Sequence, residues 1–235
     1  MSKGKLYLIP HVLDEEGFGA LPTNIKDVIT SINDFIVETP KVARKLFLGL
    51  DLKDHMNASE MSVLNKKTSV MEWMDMLQPC LEGKNVGILS DAGCPAIADP
   101  GADVVRMAHD MGIQVIPMIG PSSILLALMG SGLNGQSFAF VGYIPIKQPE
   151  RNKTIKRLEA QSKEHNRTIL FIETPYRNEQ MMSDLCKSLH PDTQVSVAAG
   201  LTGPNEFIKT TTAKNWKGKF PKIQKVPAVF SILAS

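Results

Sequence analysis

The chain has 235 residues, 43% of them hydrophobic, and a formal net charge of only +2. This length allows one or two domains, and this hydrophobic content is enough for each domain to bury a core. The small net charge excludes the strongly basic character of a dedicated nucleic-acid-binding domain, and no apolar run reaches the ~18 residues of a membrane span.

The first residues and the cysteines indicate a protein of the cytoplasm. The opening apolar stretch is too short for a secretory signal. Cys80, Cys94 and Cys186 lack paired spacing, which argues against a disulfide framework and against a zinc ribbon. The histidines show no metal-ligand spacing either. We therefore expect reduced thiols, cytoplasmic localisation, no membrane and no metal.

The first third of the chain alternates short apolar runs with helical patterns, as in βα units around a parallel sheet. Residues 5–10 and 34–38 are predicted strands. Thr39 and Pro40 then supply an N-cap hydroxyl and a first-position proline for a helix that reaches about Leu48.

A second helix is predicted after a capping box formed by Ser69 and Glu72, and it runs to Gly83. Its apolar residues recur at helical spacing, at Val70, Trp73, Met74, Leu77 and Leu81. We expect Trp73 and the methionines of this helix to be core residues.

The remaining predicted strands follow in chain order, at residues 86–89, 114–118, 138–141, 168–172, 195–199, 206–211 and 228–233. A helical pattern and most of these strands follow residue 118, so we predict an amino-terminal domain of residues 1–118 and a carboxy-terminal domain of residues 119–235.

The most informative segment is residues 86–101, an apolar strand that runs into a loop with two aspartates, two glycines and two prolines. Open α/β proteins bind ligands at such strand ends. Gly93 allows a ligand to approach the backbone, while Pro95 and Pro100 stiffen the loop. A plain surface loop uses the same turn residues, so the segment alone leaves both interpretations open.

Other common sites lack their signatures. The chain contains neither G-x-G-x-x-G nor G-x-x-x-x-G-K-[ST], so a dinucleotide loop and a nucleoside triphosphate loop are not expected. Cys94 is more readily explained as a small side chain that fills the loop than as a nucleophile, because no neighbouring base is identifiable.

Four segments in the same order resemble loops of the tetrapyrrole methylase superfamily, whose members use S-adenosylmethionine. They are residues 90–101 (SDAGCPAIADPG), Gly120-Pro121-Ser122-Ser123, Gly142-Tyr143-Ile144-Pro145 with Lys147, and Phe171-Ile172-Glu173-Thr174-Pro175-Tyr176-Arg177. The last two are most similar to the branch that 2′-O-methylates a cytidine of small-subunit ribosomal RNA. The resemblance covers about residues 84–189.

The resemblance implies an α/β fold of two αβα domains, with a mostly parallel amino-terminal sheet, a mixed carboxy-terminal sheet and a cofactor cleft between them. It also implies a homodimer that methylates RNA. The cofactor, S-adenosylmethionine, would be bound by Pro10, Asp91, Ala92, Gly93, Ile97, Ala98, Ser122, Ser123, Phe140, Gly142, Thr174 and Pro175. The substrate would be bound by Glu38, Lys147, Glu173 and Arg177. No catalytic residue is assigned.

Several of these side chains have an ordinary structural alternative. Asp91 can accept hydrogen bonds from the cofactor or cap loop amides, and Ser122 and Ser123 can hold a polar cofactor group or cap a helix. Arg177 and Lys147 suit RNA phosphates but also surface ion pairs.

Basic residues cluster in two stretches, which are solvated faces or nucleic-acid contacts. The first contains Lys147, Arg151, Lys153, Lys156 and Arg157, and the second contains Lys214, Lys217, Lys219, Lys222 and Lys225.

Four segments depart from the pattern of the RNA-methylating branch. That branch has an A-T-P-I-G-N type loop at residues 9–16, an acidic E-D-T-R segment at residues 38–41, a histidine-containing segment at residues 62–65, and R-E-L-T-K at residues 199–203. These departures keep two alternatives open: a tetrapyrrole C-methyltransferase, and a protein that binds S-adenosylmethionine without catalysing transfer.

Overall fold

A computed structural model describes residues 2–235, which divide into two compact units. The first unit ends at Ser122 and the second is Ser123–Ser235. Each contains one sheet with helices, so the predicted two-domain α/β fold is confirmed. Among the described residues, no helix combines the length and the apolar character needed to cross a membrane.

The boundary between the two units lies after Ser122, four residues beyond residue 118, because Gly120 and Pro121 pack within the first unit. A Cβ atom on Gly120 would lie 2.1 Å from Pro10 Cβ, so only glycine allows this approach. The Cys94 thiol donates to the carbonyl oxygens of Gly120 and Pro121, at 3.7 and 3.4 Å.

The first unit is built on a parallel sheet with the strand order β3-β2-β4-β1-β5. Its strands are β1 Lys5–Ile9, β2 Asp34–Val37, β3 Glu60–Val63, β4 Val86–Leu89 and β5 Gln114–Pro117. Its helices are α1 Ile25–Thr30, α2 Pro40–Gly49, α3 Lys53–Ala58, α4 Val70–Leu81 and α5 Gly101–Asp110.

Alternate strand residues of this sheet face two separate cores, as the period of two requires. One core joins Phe35 and Leu89 to Leu46 and Phe47 of α2. The other joins Ile36 and Ile88 on the strands to α4 and α5, through buried residues that include Leu77, Cys80, Val104 and Ala108. Helices therefore cover both faces of the sheet.

The prediction of which side chains of α4 face the core is partly wrong. Its capping box is present, with Glu72 N donating to Ser69 Oγ and Ser69 N donating to Glu72 Oε2. However, Met71 and Met74 are 76% and 46% exposed. The side chains that face the sheet are Trp73, Met76, Leu77 and Cys80, which form a different i, i+3, i+4, i+7 stripe of the same helix.

The second unit has a mixed sheet with the strand order β6-β7-β10-β8-β9. Its strands are β6 Phe138–Tyr143, β7 Thr168–Glu173, β8 Gln194–Ala199, β9 Phe207–Thr212 and β10 Ala228–Leu233, of which β6 and β7 pair in parallel and the other neighbours antiparallel. Its helices are α6 Ser123–Ser131, α7 Gln148–His165, α8 Asn178–Ser188 and α9 Ala213–Trp216.

The register of this sheet defines its two ends. Ala228 pairs with both Glu173 and Ala199, so β7 and β8 finish where β10 begins; we call this the Glu173 end. Gln194 pairs with Thr212, so β8 starts where β9 finishes; we call this the Thr212 end. The two ends are about 17 Å apart, because five steps of roughly 3.3 Å separate Ala228 from Leu233 along β10.

A buried ion pair joins α7 to α8. The Arg151 Nη2 atom lies 2.5 Å from Asp184 Oδ2, and these side chains are 5% and 0% exposed. Asp184 Oδ1 also accepts from the side-chain amides of Gln148 and Gln180. Arg151 therefore does not belong to a solvated basic face, unlike its exposed neighbours Lys153 and Lys156.

Candidate functional site

The loop of residues 90–101 leaves β4 in a conformation that few side chains tolerate. Gly93, Ala96 and Ala98 have φ angles of +69°, +66° and +64°. The Asp99 carboxylate supports this backbone by accepting from Ala96 N at 3.0 Å and Gly101 N at 2.7 Å. Non-glycine residues with positive φ are uncommon and concentrate at functional sites.

This loop is joined to the segment after β1. His11 N donates to Gly93 O at 2.8 Å, and Gly93 N donates to His11 O at 3.2 Å. A Cβ atom on Gly93 would lie 3.1 Å from Leu13 Cδ2 and 3.2 Å from Pro121 O. Gly93 therefore has both a conformational and a steric reason to be glycine.

Asp91 connects the loop to the end of β2. Its Oδ1 atom accepts from Thr39 N at 3.1 Å, and its Oδ2 atom accepts from Thr39 Oγ1 at 2.7 Å. Asp91 N donates to Glu38 Oε1 at 2.9 Å. The predicted N-cap bond of Thr39 is therefore wrong: Thr39 holds the N-cap position of α2, but its hydroxyl donates to Asp91.

Two carboxylic acids near this junction have pKa values above their ordinary ones. Burial is the main cause of the raised pKa of Glu38, and the charges of Asp99 and Asp91 add to it. Burial also raises the pKa of Asp99, with a further contribution from Asp91. A cavity of about 380 Å³ lies beside them and is lined by residues including Glu38, Asn65, Trp73 and Asp99.

We expect the stability of the protein to depend on pH through Glu38. Its pKa is raised in the folded state, so the stability that it contributes is fully present below the ordinary value of 4.5 and is lost as pH rises through the raised pKa. Glu38→Gln keeps the acceptor for Asp91 N and lacks the charge. We expect it to raise the melting temperature at about pH 8, with a much smaller gain near pH 4, below the ordinary value of 4.5, where the wild-type carboxyl is mostly protonated in both states.

Differential scanning calorimetry at both pH values measures this effect. Glu16→Gln, an equal charge change at an exposed position, controls for net charge. An equal gain at both pH values would contradict the role given to the Glu38 carboxylate.

The cofactor residues predicted in the first unit occupy two neighbouring segments. Asp91, Ala92, Ile97 and Ala98 are exposed, whereas Gly93 is buried. Pro10 is buried directly after β1, in contact range of Gly120. Ser122 ends this unit, and Ser123 begins α6 of the other.

A second cavity, of about 430 Å³, lies beside Asp91 and Ala92. It is lined mostly by apolar side chains of the segment after β1 and of α2, including Val12, Leu13, Phe18, Val42 and Leu48. Its lining includes residues 11–15, which lie within the segment that departs from the RNA-methylating branch. The sequence shows these apolar residues but not that they surround a cavity.

The Cys94 side chain packs in the loop. Its thiol faces backbone carbonyls, and burial raises its pKa, which favours the unreactive thiol. All three cysteines are free within residues 2–235, and no group of three or more candidate metal ligands occurs there.

In the second unit, Glu173 and Arg177 form an ion pair at the Glu173 end. Arg177 Nη2 donates to Glu173 Oε1 at 2.6 Å, and this hydrogen bond raises the arginine pKa. Glu173 is 1% exposed and Arg177 is 32% exposed along their side chains. Among the described residues, Glu173 Oε2 and Arg177 Nε are buried without a hydrogen-bond partner.

Other predicted residues of the second unit gather near the same end. Gly142 has a φ of +68° in an irregular part of β6, between the paired residues Phe140 and Tyr143. Thr174 and Pro175 directly follow β7. Lys147 is exposed at the N-cap of α7 and makes no cap hydrogen bond with its side chain.

The parallel sheet, its strained loop after β4 and the charged residues at the strand ends define a two-domain α/β protein with a candidate ligand-binding loop. Residues 27–216 match the family model of Tetrapyrrole (Corrin/Porphyrin) Methylases. The chain belongs to this family, which confirms the resemblance found in the sequence and makes it a member of a methyltransferase family.

Curated relatives cover most of the chain. It is 30% identical to "Ribosomal RNA small subunit methyltransferase I" of Bacillus subtilis over 90% of this chain and 68% of that protein. It is 29% identical to the protein of that name from Vibrio cholerae, over 87% of this chain and 67% of the relative. The Halalkalibacterium halodurans protein of that name is 30% identical over 93% of this chain and 74% of the relative.

Solved structures share the fold at low sequence identity. The methyltransferase CobJ has a TM-score of 0.63 and 12% identity, with 99% of this chain and 100% of that chain covered. Uroporphyrin-III-C-methyltransferase from Thermus thermophilus has a TM-score of 0.53 and 17% identity, with 98% and 92% covered.

Proposed function

We propose that this chain is an S-adenosylmethionine-dependent methyltransferase that 2′-O-methylates small-subunit ribosomal RNA. The observation that carries the proposal is the similarity to relatives named as ribosomal RNA small subunit methyltransferases, at 28 to 30% identity over 87 to 93% of this chain. The motifs at residues 142–147 and 171–177, which resemble the RNA-methylating branch, support the same acceptor. The proposal includes a cytoplasmic homodimer.

The loop after β4 fits an adenosyl ligand. Its exposed residues Asp91, Ala92, Ile97 and Ala98 are small or apolar apart from one carboxylate, which suits a nucleoside with a polar ribose. The positive φ of Gly93, at a position where a Cβ atom would be crowded, allows the loop to pair closely with the segment after β1. We propose that these residues hold the cofactor, together with Pro10, Ser122, Ser123, Phe140, Gly142, Thr174 and Pro175.

S-adenosylmethionine would supply an activated methyl group, so the protein mainly has to orient the acceptor. Asp91 is already held by two hydrogen bonds from Thr39, which fixes its carboxylate in one orientation. Each carboxylate oxygen can accept more than one hydrogen bond, so this does not prevent Asp91 from binding a ribose hydroxyl. We propose Glu38, Lys147, Glu173 and Arg177 as substrate residues.

Mapping of 2′-O-methyl groups in small-subunit ribosomal RNA, from cells with and without the gene, tests the proposal. We expect one methylated nucleotide to be lost on deletion and restored by the wild-type gene. Unchanged ribosomal RNA would contradict the acceptor. A pigment change on deletion would instead favour the tetrapyrrole C-methyltransferase, and retained cofactor binding without any lost mark would favour a binding protein without transferase activity.

A further inference from the structure

We infer that Lys222, Lys225 and Tyr176 form a binding surface for a single-stranded RNA segment, next to the Glu173–Arg177 pair. This inference rests on the proposed function, because it names where the second unit holds the RNA. The sequence separates Tyr176 from these lysines by more than forty residues, and the structure brings them together.

The contact is made by the segment that leads into β10. Lys225 N donates to Pro175 O at 3.0 Å, and Gln224 Nε2 donates to Tyr176 O at 2.8 Å. The buried Asn178 side chain donates to the carbonyl oxygens of Ile223 and Val226, at 2.8 and 2.7 Å. The segment of residues 222–226 is therefore attached to the start of α8 by hydrogen bonds on both sides of Gln224.

The exposed groups of this surface match the chemistry of RNA. Lys222 and Lys225 are exposed, and within residues 2–235 neither takes part in an ion pair. Lys225 has a φ of +65°, an uncommon conformation for a lysine that its hydrogen bond to Pro175 helps to hold. Ammonium groups without a carboxylate partner are free to neutralise phosphates.

Tyr176 adds an aromatic surface. It is 71% exposed and lies in the turn between β7 and α8, beside Arg177. Exposed aromatic rings beside cationic side chains stack unpaired bases, which is how proteins commonly bind single-stranded RNA. The nearby acidic residues are Glu173, paired with Arg177; Glu206, which accepts from Thr202 N; and the exposed Glu179.

Two other exposed lysines supply a matched control. Lys163 lies in the last turn of α7, just before β7, and Lys187 lies in the last turn of α8, just before β8. β7 and β8 both start at the Thr212 end, because the last residues of β10 pair with the first residues of both strands. Lys163 and Lys187 therefore lie near the end of the sheet opposite the Glu173 end, and within residues 2–235 neither takes part in an ion pair.

The test is fluorescence anisotropy with the full chain and a labelled single-stranded oligoribonucleotide of mixed sequence, between about 50 and 200 mM NaCl. The logarithm of the affinity falls linearly with the logarithm of the salt concentration, and each phosphate contact to a single strand adds about 0.7 to the steepness of this fall. Lys222→Ala/Lys225→Ala should therefore make the fall less steep by about 1.4. Lys163→Ala/Lys187→Ala should leave the slope unchanged. Equal slopes for the two pairs would overturn the inference.

Substitution of Tyr176 tests the stacking surface separately. We expect Tyr176→Ala to weaken oligoribonucleotide binding roughly five- to a hundredfold at constant salt, and Tyr176→Phe to restore it. If Tyr176→Ala binds the oligoribonucleotide as tightly as the wild-type protein, the Tyr176 ring is not part of the binding surface. Wild-type protein that fails to bind RNA would overturn both this inference and the RNA acceptor, whereas wild-type binding with no effect of Lys222 and Lys225 would overturn the inference alone.

Discussion

Asp184→Ala should destabilise the protein by about 3–5 kcal/mol, because it leaves the buried Arg151 guanidinium without its carboxylate. The free energy of unfolding in urea measures this loss. Two glutamine side chains also lose their acceptor, so the α7–α8 contact loses hydrogen bonds as well as charge neutralisation.

Two further variants define what the pair contributes. Asp192→Ala removes a carboxylate from the exposed pair with Lys214, and we expect almost no change in stability. Arg151→Met/Asp184→Leu removes both buried charges and should recover most of the lost stability. A free energy of unfolding for Asp184→Ala equal to wild type would show that the pair is not buried as described.

Gly93→Ala should weaken the binding of S-adenosylmethionine by about tenfold or more, which is about 1.4 kcal/mol. A side chain at a φ of +69° strains the backbone, and its Cβ atom would crowd Leu13 and Pro121. The loop must then move relative to the segment after β1. Isothermal titration calorimetry measures the affinity directly.

Gly132→Ala is the matched control for this prediction. Gly132 has a φ of +67°, and a Cβ atom there would meet nothing within 4 Å. It carries the same backbone strain without the crowding and lies outside the loop. We expect unchanged cofactor affinity in Gly132→Ala, and equal affinity in Gly93→Ala would show that the loop does not bind the cofactor.

The sequence predicts strands well where burial makes a continuous apolar run. The run at residues 86–89 becomes β4, which is buried at every position. The four-residue strand β3 escapes prediction because it is the outermost strand of its sheet and is mostly exposed, so it carries little apolar signal. The misplaced core face of α4 has a related cause, since two overlapping stripes of that helix are apolar and only the packing selects one.

The loops of the candidate site were found from the sequence, but their contacts were not. The bond between Thr39 and Asp91 spans 52 residues, and the bond between Asn178 and Val226 spans 48. Local rules assign Thr39 to its own helix, because they consider only nearby backbone groups. Asp99 lies within the recognised segment, but its support of Ala96 and Gly101 depends on a backbone conformation that no local pattern specifies.

The most direct test of the proposed function is methyl transfer by the purified chain. It would be incubated with S-adenosylmethionine labelled in the methyl group and with small subunits from cells that lack the gene. We predict label at a ribose 2′-oxygen of the small-subunit RNA, absent when subunits from wild-type cells are used. No label in the RNA, from protein that binds the cofactor, would contradict the proposed function.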